Sequence, residues 1–191
     1  MGQRTYSRDR AKSITSIGFG VSSLRFSKIK DNDIVNGMGI MMSLWTQGCP
    51  HHCRGCFNKE TWDYNGGKEF TDDDLQHIIN NIDKHGIKRN LSILGGEPLC
   101  PENVEGVIEV CKKFKNQYPN KMIYVWTGYV IEDFNDMQKE IFKYIDVLVD
   151  GKFEEADKNL SIMLRGSSNQ RIIDAKYFIE YNKIKFHEIN S

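Results

Sequence analysis

The stretch Ile40–Cys56, IMMSLWTQGCPHHCRGC, is a short apolar run that empties into a turn crowded with soft ligands. A continuous apolar run of this length, bounded by turn residues, reads as a buried strand. Downstream, Thr71 precedes Leu75, Ile78, Ile79 and Ile82 at helical spacing, and His85-Gly86 closes that helix. Leu91–Leu94 is the next strand, and the turn Gly95-Gly96-Glu97-Pro98 follows it. Pro101 is expected to start a helix with the stripe Val104, Val107, Ile108, Cys111 and Phe114. A strand over Met122–Trp126, a helix over Asn135–Tyr144 and a strand over Ile145–Val149 complete the pattern. Strands alternating with helices imply parallel strands joined by crossovers, so the expected fold class is α/β, a partial (βα) barrel or open sheet. The chain has 191 residues, short of the roughly 250 that a full eight-unit barrel uses.

Turn-rich segments follow the strand carboxyl ends at Cys49–Asn58, Gly95–Pro98, Thr127–Tyr129 and Asp150–Lys152. In parallel α/β folds that edge binds ligands, so the candidate site residues are expected to share one rim.

Lys+Arg and Asp+Glu both number 26, which leaves no global charge to favour nucleic acid or an anionic membrane. No apolar run approaches the roughly 20 residues needed to span a bilayer. The chain opens without a signal peptide, and Tyr6 stands where a myristoylation start requires Ser or Thr. A cytoplasmic protein is expected. Residues 1–23 are basic and lack a periodic apolar face, so they read as a flexible extension ahead of a single domain over residues 24–191.

Five cysteines, Cys49, Cys53, Cys56, Cys100 and Cys111, are too few and too clustered for a secreted disulfide scaffold. Cys111 lies on the apolar helical stripe and reads as core, and Cys100 is not expected to be a ligand. The spacing C-x3-C-x2-C brings three thiols into one loop, which suits a soft metal or a cluster. A cubane iron–sulfur cluster usually takes four Cys, so three would leave one iron open to a small molecule. Structural zinc, with His51 or His52 as a fourth ligand, is the rival reading from the residues alone.

Cys49, Cys53 and Cys56, with Phe57 directly after the last, resemble the radical S-adenosylmethionine superfamily. Further stretches extend the likeness in order: DIVNG (Asp33–Gly37), CFNKETW (Cys56–Trp62), LGGEPL (Leu94–Leu99), VWTGY (Val125–Tyr129), DVLVDGKF (Asp146–Phe153) and RGSSNQR (Arg165–Arg171). Together they resemble the glycyl radical activases that serve anaerobic ribonucleotide reductases, from about Leu24 onward. The resemblance implies that Cys49, Cys53 and Cys56 hold a 4Fe–4S cluster whose open iron chelates the methionine end of S-adenosylmethionine. It assigns cofactor contact to Gly55, Cys56, Phe57, Gly95, Gly96, Glu97, Asp150 and Lys152, with the glycine turn taking the amino group. It makes His51 and His52 spacers, and the Arg165–Arg171 loop a surface for cofactor or protein substrate. The implied activity is reductive cleavage of S-adenosylmethionine to a deoxyadenosyl radical that abstracts hydrogen from a glycine. The implied partners are the large subunit of an anaerobic ribonucleotide reductase and a one-electron donor such as flavodoxin. Asn36-Gly37-Met38-Gly39 departs from the Asn-Gly-Pro-Gly common in that family, which relaxes the turn. A formate-lyase-type activase and a non-catalytic zinc module are the alternatives.

Overall fold

The computed structural model describes residues 24–186; the expected extension over residues 1–23 lies outside them. One seven-stranded sheet organises the chain: β1 (Arg25–Asp33), β2 (Ile40–Thr46), β3 (Lys68–Glu69), β4 (Arg89–Gly95), β5 (Ile123–Trp126), β6 (Val147–Asp150) and β7 (Arg171–Asp174). Its spatial order is β3-β1-β2-β4-β5-β6-β7. The middle strands β2, β4, β5 and β6 run parallel. The outer pairings β1–β2, β1–β3 and β6–β7 are antiparallel. The sheet is therefore mixed, and it does not close into a barrel.

Strand β2 is flanked by β1 and β4, and six of its seven residues are buried. That explains why its sequence is a continuous apolar run rather than an alternating one. Its two faces nevertheless go to different places. Met42 and Leu44 join Leu91, Ile93, Ile123, Val125 and Leu148 in a core with the helix residues Leu75, Ile78, Val107, Val110 and Phe114. Met41 joins Tyr124, Val147, Val149 and Ile172 in a smaller cluster, against which Trp126 and Leu164 pack. The helices thus cover one face of the sheet, and the other is free to form a site.

Helix α1 (Asp72–Asn81) starts at Thr71, whose hydroxyl accepts from the Asp74 amide while the Asp74 carboxylate accepts from the Thr71 amide. Three aspartates in its first turn add a favourable interaction with the helix dipole. Helix α2 (Val104–Gln117) begins three residues after Pro101, later than the proline suggests. The reason lies in Asn103, whose side-chain amide donates to the Gln47 and Glu97 carbonyls and ties this segment to neighbouring loops. The helix expected over 135–144 is split into α3 (Asp136–Lys139) and a 3-10 turn over Glu140–Lys143. Asn135 caps α3, and the Glu140 amide is shared among the carbonyls of Asp136, Met137 and Gln138. A last helix, α4 (Ala175–Tyr181), follows β7.

Candidate functional site

A cavity of about 640 Å³ opens on the face without helices, at the carboxyl ends of β2, β4, β5 and β6. This is within the usual size of a small-ligand site. Its walls include Cys49, Cys53, Cys56, Phe57, Gly95, Gly96, Glu97, Trp126, Thr127, Gly128 and Gly151. The expectation that the strand-end turns share one rim matches this arrangement.

The two central turns are stitched together by backbone. The Gly96 amide donates to the Thr46 carbonyl at 2.9 Å, and the Glu97 amide to the Gly48 carbonyl at 2.8 Å. A Cβ on Gly96 would lie 2.4 Å from the Gly48 oxygen, and one on Gly95, at φ +113°, 2.8 Å from the Thr46 nitrogen. These glycines let two backbone segments close on each other as well as lining the cavity. Gly55 has φ +74° and lies off the cavity wall, with the Glu155 carboxylate where a side chain would go. It permits the tight turn in which the Cys56 amide donates to the Cys53 carbonyl. Phe57 is half-exposed and packs edge-on against Phe153 at 5.2 Å.

Asp150 is not brought to the cavity. It is fully buried, accepting from the Ile131 amide at 3.0 Å and from the Arg171 guanidinium, Nε at 2.9 Å. Arg171 also grips Glu132 through two bonds of 2.8 and 2.7 Å, which holds the Glu132 carboxyl down at about 2. The resemblance assigns Asp150 to cofactor contact; here it anchors β7. Lys152 is exposed and also lies off the wall, but its charge favours the thiolate of Cys53.

The thiols sense one another. Burial raises Cys49 to about 11, and the charges of Glu97 and Cys53 push in the same direction, while the backbone amides of His51 and His52 oppose them. Burial, then the neighbouring Cys56, raises Cys53, while the Phe153 amide pulls it down. The Asn58 amide donates to Cys56 Sγ at 3.4 Å. Cys100 is buried and raised to about 12 by desolvation, and Cys111 is raised further within the core, as its place on the helical stripe suggests. In each case the neutral thiol is favoured by folding. Stability from this source is present below about pH 9, the ordinary thiol value, and is lost as pH rises through the folded values. Melting temperature of the metal-free chain is therefore expected to fall between pH 8.5 and about 11. A flat profile across that window would count against the burial of these thiols.

The donor set suits a cluster better than a single ion. Among the described residues no three His, Cys, Asp or Glu side chains converge on one metal position. A cluster needs no such convergence, because each thiolate takes a different iron. His51 Nε2 is bonded to Glu97 Oε2 at 2.7 Å, and His52 stacks on Trp62 at 4.6 Å, so neither imidazole joins the thiols. Among the described residues three buried side-chain nitrogens lack a partner: Trp45 Nε1, Trp62 Nε1 and Arg165 Nε. All three residues line this cavity. The nitrogens themselves are closed off from the cavity, although other atoms of the same residues form its wall.

Sequence reading missed several of these residues. Trp126, at the end of the strand expected over Met122–Trp126, lines the cavity and donates from Nε1 to the Leu164 carbonyl at 2.8 Å. Asp33 accepts from the Val35 and Asn36 amides and from Ser43, fixing the β1–β2 turn at the cavity edge. His51 carried no signal of its contact with Glu97, because that contact depends on how two distant loops meet.

A family described as a 4Fe-4S single cluster domain matches residues 35–173, so the fold and the three-thiol cavity occur within an iron–sulfur class of protein. The chain belongs to the family of anaerobic ribonucleoside-triphosphate reductase-activating proteins. It is 44% identical over 139 residues to the protein of that name from Escherichia coli (strain K12), covering 72% of this chain and 90% of the relative. The Haemophilus influenzae protein of the same name is 41% identical over 141 residues, with 73% and 91% covered. The one from Enterobacteria phage T4 is 38% identical over 151 residues, with 78% and 93% covered.

Proposed function

We propose that this chain activates an anaerobic ribonucleotide reductase, with residues 24–191 as a single activase domain of the radical S-adenosylmethionine type. One observation carries the reading: three thiols and a glycine turn, joined by backbone hydrogen bonds, line one cavity at the carboxyl ends of parallel strands. Helices confined to one face of an unclosed sheet, with the cavity on the other, support the partial-barrel form of the fold. The names of the relatives support the reductase as partner.

Cys49, Cys53 and Cys56 would hold a 4Fe–4S cluster, and the turn over Gly95–Glu97 would receive the methionine end of S-adenosylmethionine. When bound, the cluster supplies one electron for cleaving S-adenosylmethionine to methionine and a deoxyadenosyl radical, which takes hydrogen from a glycine of the reductase. The chain's own residues bind and orient. Lys152 biases Cys53 toward the thiolate, and Trp45, Phe57, Trp62 and Trp126 supply apolar wall. Enclosure by these walls excludes water from a reactive species. A flavodoxin-like protein would deliver the electron, in an oxygen-poor cytoplasm.

The test is anaerobic reconstitution followed by incubation with S-adenosylmethionine, a reductant and the reductase large subunit under electron paramagnetic resonance. A glycyl doublet is expected. A doublet obtained with another glycyl radical enzyme but not with the reductase would overturn the partner. Zinc at one per chain, without iron–sulfur absorption, would overturn the chemistry.

A further inference from the structure

Glu97 lines the cavity with 1% of its surface exposed, and both its oxygens are occupied by the protein. Oε1 accepts from the Leu99 amide at 2.9 Å and the Thr127 hydroxyl at 2.7 Å. Oε2 accepts from the Gly128 amide at 2.6 Å and from His51 Nε2 at 2.7 Å. Thr127 Oγ1 itself accepts from the Tyr129 amide, so its own proton is directed at Glu97. With four donors around it, the carboxylate acts as an acceptor throughout, and Nε2 of His51 carries the shared hydrogen.

Three segments therefore meet on one side chain: the cysteine loop through His51, the glycine turn through Glu97 and Leu99, and the end of β5 through Thr127 and Gly128. The contribution of His51 is distinct. From Cys49 to Cys56 the loop's own backbone bonds stay local or run to Trp62. Its side-chain bond to Glu97 fastens this thiol-bearing arc to the turn opposite. The ring also occupies a built slot. It is 7% exposed, meets Tyr129 edge-on at 4.6 Å, and lies where a Cβ on Gly128 would come within 2.4 Å.

We propose that His51 is a positioning residue that acts through Glu97, holding the thiol loop and the glycine turn at one fixed separation. The proposal rests on the reading of the site given above and deepens it. It changes the part Glu97 plays. A carboxylate that already accepts four protein hydrogen bonds is a brace for the turn, and an incoming ammonium finds its acceptors on the turn's backbone. His51 is then a second tie, beyond the Gly48–Glu97 backbone bond, between the half of the site bearing the thiols and the half that would receive the cofactor's amino acid end. Losing a hydrogen bond to a charged group inside a site typically shifts an equilibrium by about tenfold or more.

The test uses the anaerobically loaded full chain as wild type, His51→Ala and His51→Gln. S-adenosylmethionine is titrated against the resonance spectrum of the reduced protein, with iron content and hydrogen exchange at residues 127–129 measured in parallel. Wild type and both variants are expected to hold equal iron. His51→Ala is expected to need about tenfold more S-adenosylmethionine for half of the spectral change, and to exchange the Gly128 amide faster. His51→Gln, which keeps an N–H donor, is expected to recover most of both. Equal half-saturation in wild type and His51→Ala would overturn the brace alone. Iron lost in His51→Ala and not regained in His51→Gln would overturn it in favour of a ligand or folding role. A wild-type spectrum that ignores S-adenosylmethionine would overturn the reading of the site itself, and this proposal with it.

Discussion

Cys53→Ala is expected to keep its fold, lose iron–sulfur absorption after anaerobic loading, and cleave S-adenosylmethionine only at background level. Cys53 is the sharpest of the three thiols to remove. It is partly exposed on the loop, whereas Cys49 is 8% exposed and sits where the loop is tied to Trp62. Loss of Cys49 would mix a packing defect with loss of a ligand; loss of Cys53 should leave thermal unfolding of the metal-free chain nearly unchanged. Its interaction with Cys56 on one side and Cys49 on the other makes it the middle member of the set. A cluster deprived of its middle thiolate has two protein ligands left, too few to hold it against loss of iron. Wild-type cleavage in this variant would show that the thiol is dispensable and that the cysteine set is wrong.

The second large effect concerns stability. Arg171→Ala is expected to cost about 3–5 kcal/mol, because it strands the fully buried Asp150 with the Ile131 amide as its remaining donor. For a chain of this length that corresponds to a fall of roughly 6–20 °C in melting temperature. Pairing it with Asp150→Asn should recover part of the loss, since the pair is then removed together and no buried charge is left uncompensated. Thermal unfolding of the two variants decides the matter. A cost below about 1 kcal/mol for Arg171→Ala would mean that Asp150 finds other donors or water. The loss would begin at the sheet edge, because Asp150 and Arg171 are directly paired residues of β6 and β7.

The parallel centre of the sheet was legible because each of its features is local. Ile40–Thr46 is mostly apolar since both its faces are covered, and Thr71 with Asp74 writes a helix start into four residues. The cysteine spacing is equally local, and all three thiol-bearing residues line one cavity. The antiparallel edges were not legible. Strand β1 (Arg25–Asp33) has a mostly half-exposed, lysine-bearing sequence, and β7 begins at Arg171, the last residue of a stretch that reads as a polar loop. Both are strands because of the partner beside them rather than their own residues. The same limit governs the site. Asp150 and Glu97 each look like carboxylates waiting for a ligand, and each is occupied by side chains from far along the chain, Arg171 in one case and His51 and Thr127 in the other. Spacing tells which residues are near in sequence; it does not tell which donors will arrive first.

The chain contains three tryptophans, and Trp45, Trp62 and Trp126 all stand in the wall of this same cavity. Its entire indole emission therefore originates within the site, with no background from elsewhere in the fold. A ligand filling the cavity would meet the wall that all three emitters share, so changes in indole emission are expected to report its occupancy.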